Sequence, residues 1–154
     1  YLVIDMPPGT GDVQMGLARM LPRTDLLIVT TPAVSAQKVA IRAADMARRS
    51  FLRVAGVIEN MSGLKMPDGS TLELFGSGGG QVVADELSEY SDTAVPLIGK
   101  VPISVELRTG SDSGNPVVLS HKEDPAAIEI AKIAGLLIAA KLPSANRTLK
   151  VDIA

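Results

Sequence analysis

The sequence predicts an α/β protein built on a doubly wound, mostly parallel β-sheet. Short apolar runs rich in Val, Ile and Leu alternate with longer segments that have helical periodicity. Hydrophobic residues make up 46% of the 154 residues and aromatic residues only 3%. This balance is typical of an aliphatic sheet covered by alanine-rich helices.

The strands and helices follow one another in a regular series. Proline follows several of the apolar runs and stops them, because its fixed φ and missing N–H disfavour continued pairing. The predicted strands span residues 1–4, 25–31, 54–58, 96–101 and 116–119. The predicted helices span residues 13–21, 35–51, 81–90 and 125–142, with a short helix after Ser104. Three residues are predicted to cap helices: Asp12, Ser35 and Asp124.

One segment interrupts this alternation. Residues 64–74 contain the turn sequence Pro67-Asp68-Gly69 between two short segments of mixed polarity, which indicates a small hairpin inserted on the ligand side of the sheet. The glycine run 76–80 follows it. The run lacks the Gly-Lys-Ser/Thr ending of a phosphate-binding P-loop, so a hinge or a close-packed helix start is favoured.

Composition excludes several classes of protein. The net charge of −2 gives no electrostatic basis for binding nucleic acid or an anionic membrane. The longest apolar run has eight residues, 133–140, too few to span a bilayer. The absence of cysteine excludes disulfides and thiolate metal sites in this chain, and His121 is the only histidine. These observations favour a cytoplasmic protein.

The first twelve residues carry the densest chemical signal. An apolar run ends at Asp5, which would stand at the carboxyl end of a buried strand, where open α/β sheets bind ligands. A Pro-Pro-Gly-Thr-Gly loop follows, in which Gly9 and Gly11 leave backbone N–H groups free to face an anion. An acid that holds Mg²⁺ through water, next to a phosphate-sensing loop, suits nucleotide hydrolysis. A plain strand and tight turn capped by Asp12 is the alternative.

Other strand ends are expected at the same edge. Thr31, Asn60 and Pro102 follow or end their strands there, so a nucleotide could lie across them. An asparagine offers a donor and an acceptor side by side and can bind a base edge. Taken alone, Asn60 is better explained as a turn-forming residue. Because the chain begins inside a predicted strand, we expect it to be the C-terminal part of a longer protein with at least one β–α unit upstream.

Several motifs together resemble one family. The chain resembles the C-terminal two-thirds of Mrp/ApbC-type P-loop ATPases, which are relatives of ParA, MinD and the nitrogenase iron protein. The resemblance extends to about Leu142. The matching residues are Asp5-Met-Pro-Pro-Gly-Thr-Gly-Asp12, Glu59-Asn-Met-Ser-Gly63, Phe75-Gly-Ser-Gly-Gly-Gly80, Val101-Pro102, Arg108 and Gly114-Asn-Pro116.

The resemblance implies roles for particular residues. Asp5 would be the Walker B-type acid acting on Mg²⁺ through water, and Pro8, Gly9 and Thr10 would form the switch II loop. Asp5, Gly9 and Thr10 are thus the catalytic candidates, with Gly9 close to the terminal phosphate. Pro8 and Gly9 would also contact the nucleotide. Asn60 would bind adenine, and Val101 and Pro102 would pack near the base.

The resemblance also implies a biological role. Such proteins usually form homodimers with ATP at the interface and deliver iron–sulfur clusters to client or assembly proteins. We expect residues 1–142 to belong to a single ATPase domain and residues 143–154 to form a tail. No nucleic-acid or membrane partner is expected.

Two departures from the family pattern matter. The 154 residues contain no Walker A loop, so nothing in them would grip the phosphates. The family's Cys-x-x-Cys pair falls on Met66 and Gly69, so no iron–sulfur ligand is expected in this chain. Asp68 alone does not rescue the site.

The missing cysteines leave two functions open. The first is an ATP-driven carrier whose cluster is held by upstream cysteines or a partner. The second is a nucleotide-gated scaffold ATPase that has lost the cluster. A partitioning role like that of ParA or MinD is a weaker third, since residues 143–154 make a poor amphipathic membrane helix.

Overall fold

A computed structural model describes residues 1–6, 11–21, 24–91 and 93–140. Within these ranges strands and helices largely alternate, as the sequence predicts. The strands are Asp25–Thr30 (β1), Arg53–Lys65 (β2), Thr71–Leu72 (β3) and Leu97–Ile103 (β4). The helices are Asp12–Met20 (α1), Val34–Arg49 (α2), Gly79–Glu89 (α3), Val105–Ser113 (α4), Val117–Ser120 (α5) and Pro125–Ala139 (α6).

The sheet is mostly parallel and is centred on β2. Strands β1 and β4 pair with β2 in parallel on its two sides, and β3 pairs antiparallel with the far end of β2. Leu64 lies opposite Leu72 and Lys65 opposite Thr71, which confirms the predicted hairpin. Helical crossovers join the parallel strands, as parallel pairing requires.

Side chains from β2 alternate between two cores. Val57 packs with Ile28, Ala44 and Val83 against α2 and α3. Its neighbour Ile58 packs on the other face, in the core around Val101, Ala126 and Ile133 under α6. Successive strand residues point to opposite faces, so the two cores lie on opposite sides of the sheet. Helices cover both sides, and the sheet is therefore doubly wound.

A side-chain pair fixes the register where β1 and β2 begin. Asp25 and Arg53 lie opposite each other in the two strands. The Arg53 guanidinium donates two hydrogen bonds to the Asp25 carboxylate, at 2.8 and 2.9 Å. The hydrogen bonds to Asp25 raise the pKa of Arg53. Because the arginine is half-exposed, the contact specifies the pairing of the two strands more than it stabilises the fold.

One of the three predicted caps is confirmed, and Ser104, which was predicted to begin the short helix, caps it as well. The Ser104 hydroxyl accepts from the Leu107 N–H at the start of α4, and Asp124 accepts from the Ala126 N–H at the start of α6. The prediction for Ser35 is wrong because α2 begins earlier, with Ala33 at its N-cap. Asp12 lies inside the first turn of α1, where its charge favours the helix dipole without capping. None of the helices in the described ranges combines the length and apolarity that a membrane crossing demands.

The prediction of a first strand at residues 1–4 is not met. These residues have no strand pairing, and Tyr1, Leu2 and Val3 are more than four-fifths exposed. A run of aliphatic residues becomes a strand only when a neighbour pairs with its backbone N–H and C=O groups. In the described ranges no strand pairs with residues 1–4, so Asp5 does not stand at a strand end here.

The predicted fifth strand, residues 116–119, is also wrong. Val117–Ser120 forms a short helix in which the N–H groups of Leu119 and Ser120 donate to the carbonyl of Pro116. Val117 is buried whereas Leu119 is 70% exposed. A strand would place both on one face, so their unequal burial fits a helical turn better than the apolar run suggested.

Strands β2 and β4 run further than predicted. Asn60 is not at the carboxyl end of β2, because pairing with β3 carries the strand on to Lys65. Pro102 does not end β4, which continues to Ile103. Among the described strands β4 is an edge strand, and a proline is tolerated there because its missing N–H need not pair.

Candidate functional site

The carboxyl halves of the three parallel strands bring several predicted residues together. Thr30 of β1 lies opposite Glu59 of β2, and Asn60 of β2 lies opposite Val101 of β4. Asn60 and Val101 are therefore neighbours across the sheet, as the expectation of a shared ligand edge requires. The local register of β2 and β4 positions them.

Asn60 presents a partly available amide. Its side chain is half-buried, and its Oδ1 accepts a hydrogen bond of 2.9 Å from the N–H of Met61. Its side-chain nitrogen makes no hydrogen bond to any other residue in the described ranges. A fixed amide with a free donor can bind an acceptor on a base edge.

Strand β2 bulges immediately after Asn60. Pairing with β4 shifts from Asn60–Val101 to Leu64–Ile103, so β2 carries two extra residues over this stretch. Met61 adopts a left-handed φ of 57°, which is costly for a residue with a side chain. Gly63 has a φ of 81°, and a Cβ there would lie 2.5 Å from the Thr71 methyl group. The bulge turns the chain from the parallel sheet into the hairpin.

Glu59 is a buried acid that sequence analysis did not single out. Its side chain is completely buried. Its Oε1 accepts from the Ser62 hydroxyl at 2.5 Å, and its Oε2 accepts from the Gly80 N–H at 2.6 Å. The available signal was a charged residue directly after the apolar run 54–58, because a strand buried on both faces has no solvated position for it.

The glycine run 76–80 forms a close-packed helix start. A Cβ on Gly79 would lie 2.6 Å from the Pro32 carbonyl oxygen, and one on Gly80 would lie 2.7 Å from the Cβ of Glu59. Gly78, at φ 77°, lets the chain enter α3. The first turn of α3 thus packs directly on Pro32, which follows β1, and on Glu59 within β2, as the helix-start interpretation predicts.

Val101 and Pro102 are both buried. Val101 packs in the core with Ala126 and Ile133. Its side chain therefore supports α6, and its packing near a base stays a prediction.

The predicted phosphate side of the site is described only in part. Asp5 is exposed and forms no hydrogen bond or ion pair with another described residue. Pro8, Gly9 and Thr10 lie outside the described ranges. No group of three or more Asp, Glu or His side chains within those ranges could hold a metal ion. The roles of Asp5, Gly9 and Thr10 stay predictions.

The tip of the hairpin does not fit an iron–sulfur cluster. Met66 and Gly69 close a tight turn, in which the Gly69 N–H donates to the Met66 carbonyl at 2.9 Å. The Asp68 carboxylate accepts from the hydroxyl and the N–H of Ser70, at 2.6 and 2.9 Å, and these bonds lower its pKa. A thioether and a bare glycine supply no thiolate, and the one carboxylate is engaged in the turn.

Comparisons with known proteins agree with this architecture. The family model described as ParA, NUBPL iron-transfer P-loop NTPase, matches residues 1–138. The iron-sulfur cluster carrier protein of Mycobacterium leprae is 44% identical over 151 residues, covering 98% of this chain and 39% of that protein. The chain thus spans about two-fifths of the length of this relative.

Solved structures show the same fold. The MinD cell division protein of Aquifex aeolicus superposes with a TM-score of 0.61 and 25% identity, covering 86% of this chain and 50% of that one. A nucleotide-binding protein from Archaeoglobus fulgidus, solved with ADP, gives a TM-score of 0.55 and 31% identity, covering 75% of this chain and 45% of that one.

Proposed function

Since the chain belongs to the ParA/NUBPL iron-transfer P-loop NTPase family, we propose that it is the base-binding part of an ATPase that carries iron–sulfur clusters. The observation that carries the proposal is the pairing of Asn60 with Val101 at the carboxyl half of the sheet, with a free amide donor beside them. The 44% identity to a named cluster carrier supports the cargo.

In this proposal two parts of the protein together form the nucleotide-binding site. Asn60 binds adenine, and Val101 and Pro102 shape the wall near the base. Asp5 acts on Mg²⁺ through water, and the loop of Pro8, Gly9 and Thr10 approaches the terminal phosphate. A Walker A loop elsewhere in the protein grips the phosphates, because these 154 residues contain no Gly-Lys-Ser/Thr sequence.

The proposal also covers the oligomeric state of the protein, its client proteins and its location in the cell. The protein works as a homodimer with ATP at the interface and hands its cluster to client or assembly proteins in the cytoplasm. The chain has no cysteine, so the cluster is bound by thiolates outside it.

A scaffold ATPase without a cluster is the second candidate. Met66 and Gly69 at the hairpin tip favour it, because they occupy the positions of the family's cysteine pair. Reconstituting the full-length protein with iron and sulfide separates the two candidates. The carrier gains bound iron and visible absorption, whereas the scaffold gains neither and still dimerises with ATP.

Base binding is tested by substituting Asn60→Ala in the full-length protein. Because one base-edge contact is lost, we expect the Kd for ATP to rise about tenfold and the preference for ATP over GTP to fall. Isothermal titration with both nucleotides measures this. The control is Asn115→Ala, an exposed asparagine between α4 and α5. Equal effects of the two substitutions would contradict a role for Asn60 in base binding.

A further inference from the structure

Glu59 joins three separate pieces of the fold through one buried carboxylate. It lies in β2, it accepts from Ser62 within the bulge, and it accepts from Gly80 in the first turn of α3. Both oxygens are engaged, and the side chain is closed to solvent. Such charge-assisted bonds in a water-free site have well-defined geometry.

The two bonds constrain the backbone around Asn60. Ser62 lies three residues after Glu59, so its bond to Oε1 spans Asn60 and the left-handed Met61. Gly80 anchors the other oxygen to a helix whose close approach depends on the absence of a Cβ. The strained bulge persists because its surroundings hold it in place.

The orientation of the Asn60 amide follows from that backbone. Glu59 and Asn60 point to opposite faces of β2, so Glu59 does not occupy the space beside the Asn60 amide. Asn60 is instead tied to the bulge by the bond from the Met61 N–H to its Oδ1. A shift at Met61 would therefore turn the free amide nitrogen away from its present direction.

We propose that Glu59 is a positioning residue for base recognition, which holds the β2 bulge so that Asn60 presents its amide to the nucleotide. This inference rests on the proposed nucleotide function of Asn60. It adds that base recognition depends on the contact between β2 and α3. The residues that carry it are Glu59, Ser62 and Gly80.

The test uses the full-length protein and the nearly isosteric substitution Glu59→Gln. Glutamine fills the same volume but lacks the charge, so both anchoring bonds weaken. We expect the Kd for ATP to rise about tenfold, the preference for ATP over GTP to fall, and the Kd for inorganic tripolyphosphate to stay unchanged. Glu89→Gln, at the exposed end of α3, makes the same chemical change away from the bulge.

A double-mutant cycle separates positioning from a general loss of structure. If Glu59 acts through Asn60, Glu59→Gln causes no further rise in the Kd for ATP once Asn60→Ala is present. Ser62→Ala, which removes only the bond to Oε1, gives a smaller effect of the same kind and serves if Glu59→Gln does not fold.

The outcomes are distinct. Additive effects in the cycle, or equal weakening of ATP and tripolyphosphate binding, would overturn the positioning role of Glu59. An effect of Asn60→Ala with none from Glu59→Gln or Ser62→Ala would overturn it and leave the base-binding proposal intact. No effect of Asn60→Ala would remove the proposed base contact, and this inference with it.

Discussion

At the scale of the residue, the neighbouring atoms determine which side chain a position near the site can hold. Gly80 is buried in the first turn of α3, where its N–H reaches the Glu59 carboxylate and its missing side chain leaves room for the Glu59 Cβ. At Gly135, in α6, a Cβ would meet no described atom within 4 Å apart from the backbone of its own helix and its chain neighbours. Both glycines lie in helices, but they differ in the atoms around the missing side chain. The same Gly→Ala substitution can therefore be compared at a crowded and at an open position.

We expect Gly80→Ala to lower the free energy of unfolding by about 1–3 kcal/mol, because the added methyl group forces α3 away from β2. Gly135→Ala should instead raise it by about 0.5–1 kcal/mol, because alanine loses less conformational entropy in a helix. Urea unfolding of the two full-length variants measures both. If both substitutions changed the free energy of unfolding in the same direction and by similar amounts, the close approach of α3 to β2 would not be what requires glycine at position 80.

At the scale of the element, the hairpin is a turn without a metal site. The Asp68 bonds to Ser70 and the bond from the Gly69 N–H to the Met66 carbonyl already close the tip. The lowered pKa of Asp68 means that its contribution is present at neutral pH. That contribution is lost only as the pH falls through a value below 3.8, when the carboxylate is protonated.

We expect the double substitution Met66→Cys and Gly69→Cys to give the hairpin an iron–sulfur site. The tight turn brings residues 66 and 69 close together, and two copies of the chain would supply four thiolates. Gly69 has a φ of 85°, so a cysteine there costs roughly 1–2 kcal/mol. After reconstitution of full-length protein with iron and sulfide, visible absorption should exceed that of the single variant Met66→Cys. Equal absorption would mean that the turn cannot hold a cluster.

At the scale of the whole molecule, the described sheet aligns the residues proposed to contact a base, and the 154 residues contain no Walker A loop. Strands β1, β2 and β4 align Thr30, Glu59, Asn60 and Val101 across one edge. The only Gly-Lys pair in the sequence, Gly99-Lys100, lies inside β4 and precedes valine. Under the proposed function, these residues contact the base, and residues outside the 154 bind the phosphates.

We expect the isolated 154-residue chain to show no ATP turnover, because it has no loop to neutralise the phosphates. The full-length protein, measured under the same conditions by phosphate release, should turn ATP over. Circular dichroism of the isolated chain establishes that it is folded in the assay. Measurable turnover by the folded 154 residues would contradict the division of the site.

The sequence predicted the site less completely than the fold. Asn60 and Pro102 were expected at one sheet edge, and strand register places Asn60 opposite Val101, the residue before Pro102. Glu59 was missed because its role depends on Gly80, which is 21 residues away and becomes a neighbour only when α3 packs on the sheet. The strand expected at residues 1–4 failed for a related reason, since a strand forms only with a partner.

What the sequence determined by itself is local in origin. The alternation of apolar runs and amphipathic segments, the Pro67-Asp68-Gly69 turn, and the capping residues Ser104 and Asp124 each specify structure through neighbours in the chain. Only the tertiary structure decided that Val117–Ser120 is helical, that β2 continues past Asn60 in a bulge, and that a buried glutamate links β2 to α3. These features depend on contacts between residues far apart in sequence, whose energies no local pattern contains.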